Sequence, residues 1–349
     1  MPPDSEPFVS VIAPCRNEAK FIANTIRSIL DNDYPDDKLE IIVVDGMSND
    51  GTREIIEGFA EKDSRVKMLD NPDKIVPTAM NIGIKNAVGK YIMRIDCHSK
   101  FSADYIRSCI RVSQRTGAEN VGGYWITLPG DNTPTAKAIA AATSSMFGVG
   151  NSDFRLTGPE KETDTVPFGT YRKKLFNEIG MFDERLVRNQ DIELNSRIRK
   201  KGGRIIISPE IKLSYYNRAT FCGLWQQSFN NGLWNPYTIW LVGKGLSLRH
   251  FIPMFFVLGL ITFVVSSIWL PAATWLLFVY LVLYLVCATV FACITAKIKR
   301  CSFILILWSY VILHLAYGMG SLWGVLTVPF KLIGHKKATV GKALPDRKT

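Results

Sequence analysis

Polar side chains suited to binding a nucleotide follow three predicted strands, at the point where each strand ends. Pro14-Cys15-Arg16-Asn17-Glu18 follows the first strand, residues 45–52 follow the second, and Arg94-Ile95-Asp96-Cys97-His98 follows the fourth. Taken singly, each group has an ordinary explanation, because Asp and Gly form turns and Asp caps helices. Three such groups at one edge of a sheet predict a ligand site there.

A fourth cluster, Asn189-Gln190-Asp191, begins a predicted helix that also carries Glu193 and Arg197. Asp191 is either the N-cap of this helix or a carboxylate placed for chemistry, since a carboxylate within hydrogen-bond reach of a hydroxyl group serves as a general base. Arg197 pairs with an acidic neighbour in one interpretation and with a phosphate in the other.

The elements that must position these clusters alternate between short β-branched runs and helical patterns. Strands are predicted at residues 8–13, 40–44, 66–69 and 91–95, and helices at 18–30, 50–60 and 78–87. This alternation predicts a parallel sheet with right-handed crossovers, in which ligands bind beyond the carboxyl ends of the strands.

Beyond Ser102 the predicted pattern becomes mixed. We expect helices at residues 103–115 and 191–200 and strands near 121–127, 205–207 and 213–216. Residues 166–171 are expected to be extended. The polar segment 149–165 is predicted to be a mobile loop.

The series PCRNE, VVDGMSNDGT, NIGIKNAVGKYIMRIDCH and FDERLVRNQDIELNSRIRKKG resembles glycosyltransferase family 2, the inverting GT-A type. Within that family it is most similar to the subgroup of succinoglycan-biosynthesis glucosyltransferases. The resemblance covers about residues 8–250. It implies an α/β fold, a GT-A (Rossmann-like) nucleotide-sugar-binding domain, in agreement with the predicted parallel sheet.

The resemblance also implies roles for individual residues on the donor side. Asp45 would accept a hydrogen bond from the uracil N3–H, which suits a group that has only acceptors. Asp96 would be the metal-coordinating aspartate of the DxD signature, with Mg²⁺ or Mn²⁺ bridging the diphosphate. The remaining residues implied to bind the nucleotide sugar are Pro14, Asn17, Glu18, Ser48 and Arg94.

The DxD signature is incomplete, because His98 stands in the place of its second aspartate. Imidazole suits Mn²⁺ better than Mg²⁺, so His98 as a metal ligand would favour manganese. In the other interpretation, His98 hydrogen-bonds a phosphate or a loop carbonyl, and Asp96 alone holds the metal.

On the acceptor side, the resemblance makes Asp191 the general base. In-line attack on the anomeric carbon would then give a β-linkage from an α-linked donor. The residues implied to bind the acceptor are Gly169, Thr170, Tyr171, Gln190 and Trp234. Phe168 and Tyr171 are equally well explained as core residues, and Trp234 as an anchor in the membrane interface. The run 225–234 matches the QxxRW motif of processive synthases poorly, which favours transfer of a single sugar.

The second half of the chain differs sharply from the first in composition. Residues 251–296 carry no charged side chain, and 302–330 carry only His314. Much of the net charge of +11 lies beside these segments, which favours contacts with a cytosolic membrane surface over nucleic-acid binding. We predict a cytosolic catalytic domain at 1–220, interfacial amphipathic helices at 221–250, a transmembrane region at 251–330 and a basic tail at 331–349.

Two membrane spans are predicted, at residues 251–270 and 272–296, separated by Pro271. Residues 302–330 form either one long tilted span or a re-entrant pair, and Gly318, Gly320 and Gly324 permit close helix packing or a break. No signal peptide is recognised, and the seven cysteines have no zinc-type spacing. A multi-pass protein of the cell inner membrane with a reduced, cytosolic catalytic domain is therefore expected.

The resemblance and the apolar half together predict an inverting transferase. It would move a hexose, glucose from UDP-glucose, onto a polyprenyl-diphosphate-linked saccharide in exopolysaccharide or glycan assembly. The alternatives are a polyprenyl-phosphate glycosyltransferase, a processive synthase, and a non-catalytic membrane scaffold with a nucleotide-sugar fold. A transporter is disfavoured because the apolar segments hold no ionisable pair. Motifs for hydride transfer, ATP hydrolysis or metalloprotease chemistry do not occur in the sequence.

Overall fold

The computed structural model describes residues 6–150, 152–243, 246 and 248–340, apart from the side chains of Val242 and residues 330–340. These residues form two compact units. The first contains the described chain up to Thr220 together with Phe291–Ile306, and the second contains Phe221–Val290 and the chain from Leu307 onward.

The described residues contain nine strands and twelve α-helices. The strands are β1 Val9–Cys15, β2 Leu39–Asp45, β3 Val66–Asp70, β4 Tyr91–Arg94, β5 Ser99–Phe101, β6 Asn120–Leu128, β7 Lys161–Glu162, β8 Thr170–Arg172 and β9 Ile205–Tyr216. The helices are α1 Ile22–Leu30, α2 Thr52–Ala60, α3 Val76–Asn86, α4 Tyr105–Thr116, α5 Pro134–Ala142, α6 Met146–Val149, α7 Leu175–Ile179, α8 Gln190–Lys200, α9 Phe221–Val242, α10 Ile252–Ser266, α11 Pro271–Lys299 and α12 Phe303–Val340.

All nine strands belong to one mixed sheet. Its order is β3-β2-β1-β4-β8-β6-β9-β5, with β7 paired to β9. The predicted parallel arrangement is confirmed for β1 to β4, whereas β8 runs antiparallel to both β4 and β6. The two strands predicted at 205–207 and 213–216 are one strand, β9, and its pairing with β6 shifts register at Gly123/Tyr124.

The central strands β1 and β2 are buried on both faces, as their continuous apolar runs predict. Val11 and Ile41 face one hydrophobic cluster, and Ile12 and Ile42 face the other. Helices cover both faces of the sheet, so the polar loops are confined to the strand ends. The chemistry is therefore expected at the edges of the sheet rather than on its faces.

The segment predicted to be a mobile loop, 149–165, is held in place by specific contacts among its described residues. Thr163 and Lys161 hydrogen-bond to the carboxylate of Asp153 at 2.8 Å and 2.6 Å. The hydroxyl of Tyr124 donates to the Pro159 carbonyl at 2.6 Å. The polar side chains of this segment therefore form specific hydrogen bonds, and its predicted mobility stays a prediction.

The apolar helices α10, α11 and α12 differ from the predicted spans. The span expected at 251–270 is a shorter helix, α10, of 15 residues, or roughly 22 Å. Pro271 is the first residue of α11, whose 29 residues are long and apolar enough to cross a membrane. The segment 302–330 lies in one continuous helix, α12, and its part Phe303–Pro329 passes the same criterion, so the re-entrant pair is wrong.

Glycines allow α9 and α12 to pack closely against each other. A Cβ at Gly232 would lie 2.1 Å from the carbonyl oxygen of Tyr317, and one at Gly320 would lie 2.1 Å from that of Phe229. The amide of Asn235 donates to the Tyr317 hydroxyl at 2.7 Å. The glycines of α12 therefore mark close packing rather than a break in the helix.

Candidate active site

The carboxyl ends of the four parallel strands meet at one edge of the sheet, as the sequence predicts. Cys15 pairs with Asp45, and Asp45 pairs with Asp70, so the ends of β1, β2 and β3 lie level. A cleft of about 200 Å³, partly open to solvent, lies at this edge. Its walls include Pro14, Arg16, Glu18, Gly46, Asn71, Lys74, Asp96 and His98.

The loops after β1 and β2 are joined by hydrogen bonds. The backbone N–H of Asn17 donates to the Ser48 hydroxyl at 2.8 Å, and the Asn17 side-chain oxygen accepts from the Asn49 N–H at 3.1 Å. Asn17 has a φ of 55°, a left-handed conformation that asparagine tolerates well. Asn17 and Ser48 therefore shape the loop, and their predicted contacts with the nucleotide stay predictions.

Asp45 is fully buried beneath this loop, with 0% of its surface exposed. Its carboxylate accepts from the Ser48 N–H at 2.9 Å, the Ser48 hydroxyl at 2.5 Å and the Arg53 guanidinium at 2.8 Å. Arg53 also reaches Asp70 at 2.8 Å and so links the ends of β2 and β3. A bond from Asp45 to uracil, which stays a prediction, requires movement of Ser48 or the loop above it.

Asp96 lies in the cleft beside a buried cation. The guanidinium of Arg94 approaches the Asp96 carboxylate at 3.2 Å, and the Asp96 side chain is 34% exposed. The backbone N–H of Arg94 donates to the Gly169 carbonyl at 3.1 Å, which ties β4 to the segment before β8. Asp96 thus keeps carboxylate surface toward the cleft while Arg94 supports it from within the protein.

Arg94 also lies within electrostatic range of Asp191. Burial lowers the pKa of Arg94, but the negative charges of Asp96 and Asp191 more than offset this, so the pKa is raised overall. Burial raises the pKa of the Tyr171 hydroxyl, and Asp191 raises it further. Asp96 and Asp191 therefore both act on one buried positive charge.

Asp191 lies in the first turn of α8 but does not cap it. The N-cap is Asn189, with a φ of 62° and no side-chain capping bond, so the N-cap interpretation of Asp191 is wrong. Arg197 pairs with Glu193 at 2.7 Å and donates to the Ile179 and Met181 carbonyls, each at 2.6 Å. The interpretation in which Arg197 pairs with an acidic neighbour is confirmed.

His98 pairs with Glu18 rather than with Asp96. Its Nε2 lies 3.1 Å from a Glu18 carboxylate oxygen, and its ring packs edge-on against Phe21 at 4.5 Å. Among the described residues, no three or more His, Cys, Asp or Glu side chains converge as a metal-binding group. Asp96 can still hold a divalent cation that takes its other ligands from diphosphate oxygens and water.

The predicted acceptor-binding residues are mostly buried. Thr170 is 0% exposed and Tyr171 is 1% exposed, and Tyr171 belongs to the hydrophobic core. A Cβ at Gly169 would lie 2.4 Å from the Asn120 side-chain oxygen, so a larger residue there would have to displace neighbouring side chains. Gln190 is buried, and its side-chain oxygen has no hydrogen-bond partner in the described part of the chain.

Trp234, the remaining predicted acceptor residue, lies in α9 in the second unit, where its ring packs against Tyr237 at 5.5 Å. Its predicted contact with an acceptor stays a prediction, as do those of Gly169, Thr170, Tyr171 and Gln190.

The sequence reasoning missed two cleft residues that follow β3. Asn71 is buried, its amide donates to the Ile75 carbonyl at 2.9 Å, and its side-chain oxygen has no partner among the described residues. Lys74 is exposed at the cleft with a φ of 61°. These two residues could have been found from the sequence, because they follow the third predicted strand. Polar residues after the first, second and fourth strands were recognised in the same way.

Comparison with known proteins identifies the catalytic unit. The family model described as Glycosyl transferase family 2 matches residues 10–180. Succinoglycan biosynthesis protein ExoA of Rhizobium meliloti (strain 1021) is 33% identical over 224 residues, which are 64% of this chain and 67% of that protein. The dolichyl N-acetyl-alpha-D-glucosaminyl phosphate 3-beta-D-2,3-diacetamido-2,3-dideoxy-beta-D-glucuronosyltransferase of Methanococcus voltae is 29% identical. That match covers 69% of this chain and 74% of the relative.

Solved structures show the same fold. Mannosyltransferase PcManGT from Pyrobaculum calidifontis, in complex with GDP-Man and Mn²⁺, superposes with a TM-score of 0.59 at 18% identity. The match covers 92% of this chain and 88% of that one. S. aureus TarS 1-349 in complex with UDP-GlcNAc gives a TM-score of 0.50 at 19% identity, over 70% of this chain and 72% of that one. The first unit therefore has the GT-A fold.

Proposed function

This chain belongs to glycosyltransferase family 2, and we propose that it transfers glucose from UDP-glucose in β-linkage onto a lipid-linked saccharide. The observation that carries this proposal is the electrostatic action of both Asp96 and Asp191 on the buried guanidinium of Arg94, which the Asp96 carboxylate approaches at 3.2 Å. Asp96 faces the cleft proposed to bind the donor. Asp191 lies in the first turn of α8, which follows the segment 169–171 proposed to bind the acceptor. An inverting displacement requires donor and base groups on opposite sides of one anomeric carbon.

In the proposed reaction, a hydroxyl oxygen of the acceptor forms a bond to the anomeric carbon of the donor sugar. The bond from that carbon to the diphosphate oxygen breaks, and UDP leaves with the electron pair. The Asp191 carboxylate takes the proton from the attacking hydroxyl. The buried side-chain oxygen of Gln190 can accept a second hydrogen bond from the same acceptor substrate.

The charge that develops on UDP must be offset at the Asp96 side of the cleft. A divalent cation, Mg²⁺ or Mn²⁺, held there by Asp96 and the diphosphate supplies the necessary positive charge when bound. Lys74 and Arg16 at the cleft wall add further positive charge toward the same phosphates.

A lipid-linked acceptor is supported by the apolar second unit. We propose that α11 and α12 hold the protein in a membrane, because both are long and apolar enough to span one. Lys297, Lys299 and Arg300 at the end of α11 favour the cytosolic side for that end. The M. voltae relative is named for transfer onto a dolichyl-linked sugar phosphate, which is an acceptor of this class.

A panel experiment tests the activity. The purified full-length protein is incubated in detergent with UDP-glucose, UDP-GlcNAc or GDP-mannose, Mg²⁺ or Mn²⁺, and a lipid extract that contains polyprenyl-linked saccharides. We expect nucleotide release to be fastest with UDP-glucose and to depend on the extract. Absence of release with every donor would refute the enzyme assignment, and preference for another donor would refute glucose.

A further inference from the structure

A second cavity, of about 850 Å³, lies at the opposite end of β4 from Asp96. β4 begins at Tyr91, which lines this cavity, and ends at Arg94, just before Asp96. The cavity walls are formed by residues 88–91, Gln114, residues 172–174 and Asn177. The two cavities have no described lining residue in common. A ligand in the second cavity would therefore not occupy the candidate active site.

The antiparallel pairing of β8 with β4 brings the walls of this cavity together. Tyr91 at the start of β4 is paired with Arg172 at the end of β8. Next to this pair, the Lys173 N–H donates to the Lys90 carbonyl at 2.9 Å. Antiparallel strands place the start of one strand beside the end of the other, so two basic segments that are distant in the sequence lie side by side.

The walls carry four cations and no Asp or Glu side chain, and we call this space the basic cavity. The cations are Lys90, Arg172, Lys173 and Lys174. Within the described ranges none of the four forms a salt bridge, whereas Arg115 on the same unit pairs with Glu160 at 2.7 Å. Like charges held close together without counterions favour the binding of an anion.

One buried carboxylate, Glu40, contacts the backbone of the cavity wall, where it accepts from the Val88 N–H at 2.8 Å. Its side chain is only 3% exposed and is already paired with Lys67 at 2.8 Å. Glu40 therefore has a cation of its own and does not line the basic cavity.

Two of the four cations are held at the wall by neutral groups. The Lys173 ammonium donates to the Ala87 carbonyl, and the Arg172 guanidinium donates to the Ser113 carbonyl at 3.5 Å. These carbonyls orient the side chains and leave their positive charge unbalanced. The Nε of Arg172 is buried and has no acceptor among the described atoms. Buried polar groups are normally hydrogen-bonded, so this donor favours an acceptor that a ligand supplies.

We propose that the basic cavity binds a phosphate or diphosphate group through Lys90, Arg172 and Lys174. A guanidinium binds phosphate oxygens through paired, charge-assisted hydrogen bonds, and an ammonium group adds a point charge. Val88, which is 65% exposed, adds apolar surface beside these charges. The phosphate belongs either to a soluble compound or to the headgroup of an anionic lipid. This inference goes beyond the proposed function, because no step of the transfer uses these residues.

Isothermal titration of the full-length protein in an uncharged detergent tests the site, with inorganic pyrophosphate and dihexanoyl phosphatidylglycerol as probes. EDTA is present throughout, because binding of a diphosphate beside Asp96 is proposed to require a divalent cation. Lys90→Gln and Lys174→Gln should each weaken binding of the preferred probe about tenfold. Lys62→Gln, at an exposed lysine after α2 that lines neither cavity, is the matched control and should bind as the wild type does.

Tighter binding of pyrophosphate would identify a soluble ligand, and tighter binding of phosphatidylglycerol would identify a lipid headgroup; both results support a phosphate site. Lys90 and Lys174 are exposed, so their variants should unfold at the wild-type temperature and report on binding alone.

Three results would overturn the proposal. The wild type could bind neither probe, the two lysine variants could bind as tightly as the wild type, or Lys62→Gln could weaken binding to the same extent, which would show non-specific attraction. Because binding is measured without a sugar donor or turnover, the outcome does not depend on transferase activity.

Discussion

The guanidinium of Arg94 lies 3.2 Å from the carboxylate of Asp96 and is buried, with 9% of the residue exposed. An ion pair so enclosed fixes the direction in which the carboxylate faces the cleft. Because Asp191 acts electrostatically on the same guanidinium, Arg94 links Asp96 to Asp191, the two carboxylates of the proposed mechanism. Asp96, rather than His98, is therefore the residue we expect to carry the metal.

Metal dependence tests this expectation. Asp96→Asn should abolish the enhancement of UDP binding by Mn²⁺, because it removes the charged oxygen ligand. His98→Gln should leave that enhancement and the preference between Mn²⁺ and Mg²⁺ unchanged, because His98 pairs with Glu18. Titration of Mn²⁺ by electron paramagnetic resonance, with and without UDP, measures both effects. Loss of the manganese preference in His98→Gln would make His98 a ligand.

The unpartnered oxygen of Asn71 predicts a contact with the donor. Asn71→Ala should raise the dissociation constant of UDP-glucose roughly tenfold, because a buried acceptor in the cleft is lost. The turnover number at saturating donor should stay the same, since the contact is made equally in the ground and transition states. Asn86→Ala, at an exposed site at the end of α3, is the control. Unchanged affinity in Asn71→Ala would remove this residue from the site.

Gly169→Ala should destabilise the first unit by about 1–3 kcal/mol, because the new Cβ would overlap Asn120 and Tyr171. Gly58→Ala, inside α2 with open space around it, should instead be neutral or stabilise by up to about 1 kcal/mol. Thermal unfolding in detergent compares the two variants. Equal melting temperatures would show that the segment before β8 relaxes without cost.

At the amino-terminal ends of the parallel strands, a buried carboxylate, Glu40, accepts several hydrogen bonds. It accepts from Ser10 at 2.5 Å, from the Val88 N–H at 2.8 Å and from Lys67 at 2.8 Å. Burial raises the pKa of Glu40, but these bonds outweigh it and lower the pKa below its usual 4.5. A lowered folded-state pKa contributes stability above the unfolded value, and this contribution is lost as pH falls through the folded value.

Glu40→Gln should therefore unfold at a lower temperature than the wild type at pH 7, by the equivalent of about 1–3 kcal/mol. The difference should shrink as the pH falls below 4.5 and on through the lower folded-state pKa of Glu40, where the wild-type carboxylate becomes protonated and loses its charge. Glu61→Gln, exposed just after α2, should show no such difference. If the difference in unfolding temperature between Glu40→Gln and the wild type did not vary with pH, the stabilising role of the ionised Glu40 carboxylate would be contradicted.

The fold of the first unit was predictable where the signal is local. Alternating strands and helices identified β1 to β4, and the strand ends identified Asp45 and Asp96. Asp191, at the start of a predicted helix, was singled out by the family resemblance. The antiparallel insertion of β8 next to β4 was not predicted, because strand order beyond the parallel part depends on long-range pairing. The relation of Arg94 to Asp191 has no signal in the spacing of the residues either.

In the apolar half of the chain, composition predicted which segments can span a membrane but not where each helix ends. Hydropathy located α11 and the apolar part of α12, because composition alone decides whether a segment can span a membrane. It overestimated the length of α10, which ends at Ser266, with four residues between it and Pro271, where the next helix begins. The residue before a proline is disfavoured in a helix, and the apolar residues 267–270 form the connection instead.

The role of Asp191 is the central claim, and transfer by Asp191→Asn tests it most directly. The wild type and the variant are compared for radiolabelled sugar transfer to lipid and, separately, for UDP binding. We predict that transfer falls at least about 100-fold, because proton transfer to a positioned base is lost, while UDP binding stays the same. Transfer by Asp191→Asn at the wild-type rate would contradict the account.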